Sequence, residues 1–163
     1  MPSSSRVYLN TVRRAIYVLD AGTAGPVTLY VYTKTDTITP STDVVSVELT
    51  GTLSLPLVGG PGVSCSMAAN DRFLFIGTDQ SPAGVRVRKR DLQVAPLGGF
   101  SPPLNVSAIT SNQYGYVTVT HGDFSQGSSG FLLFGPDGNL EEDGGGAMFV
   151  LSTTQAVLTA ALP

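Results

Sequence analysis

The chain has 163 residues and a formal net charge of −3, and its charged residues, at 13%, are about half the usual share. With 42% apolar residues it can bury a real core, which excludes an intrinsically disordered chain. The acidic balance gives no general attraction to nucleic acid or to an anionic membrane, and no segment approaches the twenty or so apolar residues of a membrane helix.

Residues 1–5 read as a short polar tail, and residues 6–163 as one all-β domain. Arg6 to Thr11 alternates apolar and polar positions, and Ala15 to Leu19 is nearly all apolar, so both are expected as strands. Val27 to Thr33 alternates again, with Val27, Leu29 and Val31 inward and Thr28, Tyr30 and Tyr32 outward. Thr35 to Thr42, polar and containing Pro40, is expected as a loop, and Val44 to Thr50 as a fourth, edge-like strand. Gly51 to Gly62, with its prolines and glycines, reads as a connector.

A second set of strands follows at Val63–Met67, Arg72–Gly77, Val85–Arg90 and Leu92–Leu97. A Pro/Gly connector, Gly98 to Leu104, leads to a third set at Val106–Thr110, Tyr114–Thr120, Gly130–Phe134 and Asn139–Glu142. Met148–Leu151 and Ala156–Leu162 supply the first two strands of a fourth. The β-branched residues Val150, Thr153, Thr154, Val157 and Thr159 favour strand over a terminal helix there.

These sets are copies of one unit. Moved forward forty-three positions, Val63 falls on Val106, Asn70 on Gln113, Phe73 on Tyr116 and Asp79 on Gly122. The repeats span about residues 6–62, 63–105, 106–146 and, in part, 147–162. Four-stranded units of roughly forty to fifty residues joined by Gly/Pro loops characterise β-propeller blades. The run Asn70-Asp71-Arg72-Phe73-Leu74-Phe75-Ile76-Gly77, followed by Gly84-Val85-Arg86-Val87, resembles the lactonase-type and YVTN-type blade. The fold expected is therefore all-β, with propeller-like antiparallel four-stranded repeats. The alternative is a β-sandwich or jelly roll, because three and a half blades fall short of the smallest closed rings.

Chemistry-bearing residues are few. The single histidine, His121, lies at a strand end in Thr120-His121-Gly122-Asp123, and Asp79 and Asp20 end the corresponding strands of the earlier repeats. Gathered on one face, His121, Asp79 and Asp123 would pair an imidazole with carboxylates, the arrangement to test for catalysis. The competing reading is that Asp and Gly here build turns. Nothing in the chain supplies a transition-metal ligand set, a phosphate-binding loop or a calcium loop, so no cofactor and no metal is expected. The lone cysteine, Cys65, sits in an alternating strand and is expected as a buried thiol.

Arg86, Arg88 and Arg90 alternate along one predicted strand, which places three guanidinium groups on one face and Lys89 on the other. Such a face suits a protein partner better than nucleic acid, and Glu141-Glu142-Asp143 is its complement in a neighbouring copy. Two functions compete. One is a non-enzymatic structural protein acting through protein contacts in an oligomer or larger assembly, without nucleic-acid or membrane partners. The low charge and the Gly/Pro/Thr/Ser richness resemble virion components of tailed bacteriophages, such as capsid decoration, neck or tail proteins. The other is a lactonase-like or ligand-binding propeller completed by oligomerisation. MPSSSRVYLN holds no signal-peptide core, so cytoplasmic synthesis is expected, with a virion destination if the gene is phage-encoded and with Asn105-Val106-Ser107 unglycosylated.

Overall fold

The computed structural model describes residues 5–10, 15–22, 24–39, 42–80, 84–97, 106–123 and 128–145. Among them are twelve strands and no helix. The strands form three antiparallel four-stranded sheets, each in simple sequence order. The all-β expectation, built of propeller-like four-stranded repeats, is what the chain forms; consecutive meanders of this kind suit stacked sandwich sheets as well. The chain divides into two compact units, Met1–Val63 and Ser64–Pro163. The strands expected at Met148–Leu151 and Ala156–Leu162 lie outside the described residues.

The first unit holds β1 (Ser5–Asn10), β2 (Ala15–Asp20), β3 (Gly25–Thr39) and β4 (Thr42–Gly59). Ser5, read from sequence as tail, already pairs with Asp20. Alternation sets the faces as expected. Tyr17 and Leu19 on β2 stand opposite Val31 and Leu29 on β3, and Tyr17, Leu19, Val27 and Leu29 are all buried. Leu55 and Leu57 on β4 join the buried set.

Two sequence expectations are corrected here. Thr35 to Thr39 and Thr42 are strand rather than loop: β3 runs on to Thr39 and β4 begins at Thr42, with Thr39 paired to Thr42 in a long hairpin. Thr35, Thr37, Ile38 and Thr39 are β-branched and extend the ladder, and this outweighs their polarity. Nor is Gly51 to Gly59 a connector, for it continues β4. Pro56 is tolerated because β4 is an edge strand and because the register shifts there: Thr28 faces Ser54 whereas Pro26 faces Val58. The ring that cannot donate to a ladder sits where the ladder is interrupted.

The second unit holds β5 (Cys65–Ala69), β6 (Phe73–Thr78), β7 (Val85–Arg88) and β8 (Val94–Pro96) in one sheet. The other sheet is β9 (Val106–Ser111), β10 (Val117–Asp123), β11 (Ser128–Phe134) and β12 (Leu140–Gly145). The two sheets share one core of Ala68, Phe75, Leu97, Val106, Ile109, Val117, Val119, Leu132 and Phe134. Phe75 and Phe134 anchor it, with ring centroids 5.3 Å apart. The sheets approach closely enough that a β-carbon on Gly77 would lie 2.6 Å from the Val106 side chain. Cys65 is a buried thiol within β5.

An asparagine closes the first hairpin of both sheets. Asn70 Oδ1 accepts the Arg72 and Phe73 amides at 3.0 and 2.9 Å. Asn112 Oδ1 likewise accepts the Tyr114 and Tyr116 amides, each at 3.0 Å. Asn10, paired with Ala15, stands at the same place in the first unit. The structural counterpart of Asn70 is thus Asn112 rather than Gln113. The second turn is one residue longer, accommodated by Gly115 at φ 86°, so a constant spacing misaligns the strand before it.

Candidate functional site

The arginine-rich segment was expected to be one basic face on one strand. The structure corrects this, because β7 ends at Arg88 and the chain turns back through Lys89, Arg90 and Asp91. The turn closes with Arg88 N donating to Gln93 O at 2.9 Å and Leu92 N donating to Arg88 O at 2.8 Å. Arg88 grips Asp91 with two nitrogens, Nε to Oδ1 at 2.8 Å and Nη2 to Oδ2 at 2.7 Å, and also donates to Gln93 Oε1. That side-chain hydrogen bond holds the Asp91 carboxyl below its ordinary range and raises the Arg88 guanidinium.

The three arginines therefore have three different settings. Arg86 lies over the Phe73 ring, its guanidinium carbon 5.5 Å from the centroid, and donates to Gly138 O across the two sheets. Arg88 clamps a turn. Arg90 alone projects into solvent, 81% exposed, 3.9 Å from the Asp91 carboxylate. Lys89 is buried, and its Nζ donates to Asn70 O at 2.5 Å. A basic docking stripe needs parallel, solvent-facing side chains, and here Arg86 and Lys89 turn into the fold, Arg88 is tied to Asp91 and Arg90 lies beyond the strand.

Glu141 and Glu142 are exposed on β12, the outer strand of its sheet, with Glu142 paired to Leu133. Asp143 pairs with Leu132 in the same strand; its side chain lies outside the described residues. Glu141 and Glu142 thus leave two carboxylates exposed on this outer strand.

His121 is buried in β10, flanked across the sheet by Gly130 on β11 and Val106 on β9, beside a register shift. Asp79, at the end of β6, closes the mouth of its hairpin: its Oδ1 accepts Ser64 N at 3.0 Å and its own amide donates to Ser64 O at 3.1 Å. Asp20 accepts the amide two residues on, Gly22 N, at 2.9 Å. Asp20 thus caps a local turn, whereas Asp79 ties two neighbouring strands together at the open end of their hairpin. The Asp123 side chain lies outside the described residues. Among the described residues no three His, Cys, Asp or Glu side chains gather to hold a metal ion.

The surface that sequence reading missed is the long β3–β4 hairpin. Among the described residues β2 accompanies β3 only from Thr28 to Thr33, and the pairs from Lys34–Val47 to Thr39–Thr42 form a two-stranded ribbon. Val44, Val45 and Val47 on this ribbon, and Leu49 just before it, are each about half exposed, at 53%, 59%, 52% and 49%. A bulge at Thr50 explains why. Val31 pairs with Gly51 but Tyr32 with Leu49, so the alternation inverts at that point. Leu53 shares the face of Leu29, whereas Leu49, Val47 and Val45 are turned to the opposite side. Thr50 Oγ1, donating to Val31 O at 3.2 Å and 3.1 Å from Thr33 Oγ1, fastens the bulge. The signal was present in the run of β-branched residues on both sides of Pro40.

No helix among the described residues is long and apolar enough to cross a membrane. Compared with protein-family models, curated proteins and solved structures, the chain matches none.

Proposed function

We propose that this protein is a non-enzymatic structural component that works through surface contacts in a larger assembly, of the kind that decorates a capsid or builds the neck or tail of a phage virion. One observation carries the reading: an edge strand, β4, exposes a row of aliphatic side chains on a ribbon that extends past the rest of its sheet. Exposed apolar edge strands pair readily with another chain, and soluble proteins blunt them unless pairing is their use. The acidic outer strand β12 offers a second contact surface of different chemistry.

The test is co-expression with the products of neighbouring genes, followed by sedimentation of the lysate and mass analysis of the particles. Recovery of the chain at fixed stoichiometry in a particle is the expected result. A chain that sediments alone as a folded monomer, with every neighbouring product present, overturns the reading.

A further inference from the structure

The outer edge of β4 is divided into two halves. From Gly51 to Gly59 it is interrupted by Pro56 and a shift of register, both of which discourage pairing with another strand. From Val44 to Leu49 the ladder runs without a shift of register, with no lysine, no proline and Glu48 as the one charge, and no strand lies on its outer side among the described residues. A two-stranded ribbon is marginal in water by itself, and a third strand is what gives such a ribbon independent stability.

The order of residues on this half says which strand fits. In Val44-Val45-Ser46-Val47-Glu48-Leu49-Thr50 the pattern is symmetric about Val47. Laid antiparallel against itself with Val47 at the centre, Val47 faces Val47 of the second copy and Val45 faces Leu49. One face is then an unbroken aliphatic row. On the other face Glu48 meets Ser46 and Val44 meets Thr50, so no like charges are opposed. A two-fold axis needs this self-complementarity, since each copy must present the same patch.

We infer that the β3–β4 ribbon is a dimerisation arm: β4 pairs antiparallel with β4 of a second copy of this chain, centred on Val47, to make one continuous eight-stranded sheet. This rests on the assembly reading above and names its first contact. Withdrawing the four half-exposed aliphatic side chains and the strand edge on each copy buries on the order of 1,000 Å² in total, near the lower bound for a specific pair. The dimer is accordingly expected in the micromolar range, on the order of 10 µM.

The full chain is examined by sedimentation equilibrium from about 1 to about 200 µM, a range that brackets such a constant. Self-association is expected, with Val47→Lys weakening it at least about fiftyfold because two ammonium groups then meet at the axis. Far-UV circular dichroism checks that the variant is folded. Register is read separately by oxidation: Val47→Cys is expected to cross-link two copies, whereas Val45→Cys, offset from itself across the axis, does not. The native thiol Cys65 is buried and contributes little background. If Val47→Lys fails to fold, the cross-linking pair decides. A monomer at every concentration overturns the inference. So does a dimer that Val47→Lys leaves intact while Val47→Cys stays unlinked, but that result leaves the assembly reading standing. Recovery of the Val47→Lys protein in the co-expressed particle likewise separates the two.

Discussion

Asn70 and Gly115 join the two sheets of the second unit: Asn70 Nδ2 donates to the Gly115 carbonyl at 3.1 Å and to the Pro136 carbonyl at 3.3 Å. The same side chain's oxygen closes its own hairpin, and its carbonyl accepts the buried Lys89 ammonium. One residue, 6% exposed, thus serves a turn, a neighbouring sheet and a buried charge. Replacing Asn70 with Ala leaves two amides and two carbonyls without this partner. We expect a loss of about 2–3 kcal/mol, read from urea unfolding, the desolvation cost of groups left short of partners.

Gly77 permits the close approach of β6 to Val106. Because a β-carbon there would lie 2.6 to 2.7 Å from three Val106 atoms, Gly77→Ala must push the sheets apart or displace that valine. The expected cost is about 1–3 kcal/mol, as for other overpacked cores. A companion change, Val106→Ala, is expected to restore part of the loss in the double variant, and a purely additive result would contradict the contact.

Leu92 adopts φ 57°, the left-handed region, in the turn that Arg88 and Asp91 hold. A branched apolar side chain is poorly suited to that conformation, whereas asparagine tolerates it at roughly 1 kcal/mol less strain. Leu92→Asn is expected to raise the melting temperature by about 2–4 °C. A fall instead would show that the half-buried leucine side chain contributes more by packing than it costs in backbone strain.

The Arg88–Asp91 pair predicts a pH dependence with a definite sign. The folded-state pKa of Asp91 is depressed, chiefly by the hydrogen bond from Arg88. Its contribution is therefore fully present above the unfolded aspartate value near 3.8 and is lost as the pH falls through the lower folded value. Thermal unfolding from pH 7 to pH 2 should show Asp91→Asn less stable than the native chain at neutral pH, with the gap closing below about pH 4. The pair is exposed, so the gap is small and shrinks in high salt. A gap that widened on acidification would contradict the assignment.

Much of the fold was legible before any coordinates. The alternation of Val27, Leu29 and Val31 marked the buried face of β3, and the run Phe73 to Gly77 marked a covered strand. Both are local patterns, enforced by the two-residue period of an extended chain. The candidate surfaces were less legible. Arg86, Arg88 and Arg90 share a parity, but parity means a common face only while the strand continues, and Asp91 ends it. Asp79 and Asp20 carry the chemistry of a catalytic carboxylate, and each accepts a backbone amide, Asp79 across the open end of a hairpin and Asp20 within a turn. Composition cannot separate these uses, because they differ in what lies opposite rather than in the residue itself.

The sequence by itself determined the number, order and antiparallel grouping of the described strands, since turn residues and β-branched alternation act over a few neighbours. Tertiary structure alone decided where the ladders run on and where they slip. The bulge at Thr50 and the shift around Pro56 are properties of two strands paired over many residues. A one-residue slip turns every following side chain to the other face. That is why Val45, Val47 and Leu49 stand outward, and why the feature proposed to bring two copies together is a consequence of pairing rather than of pattern.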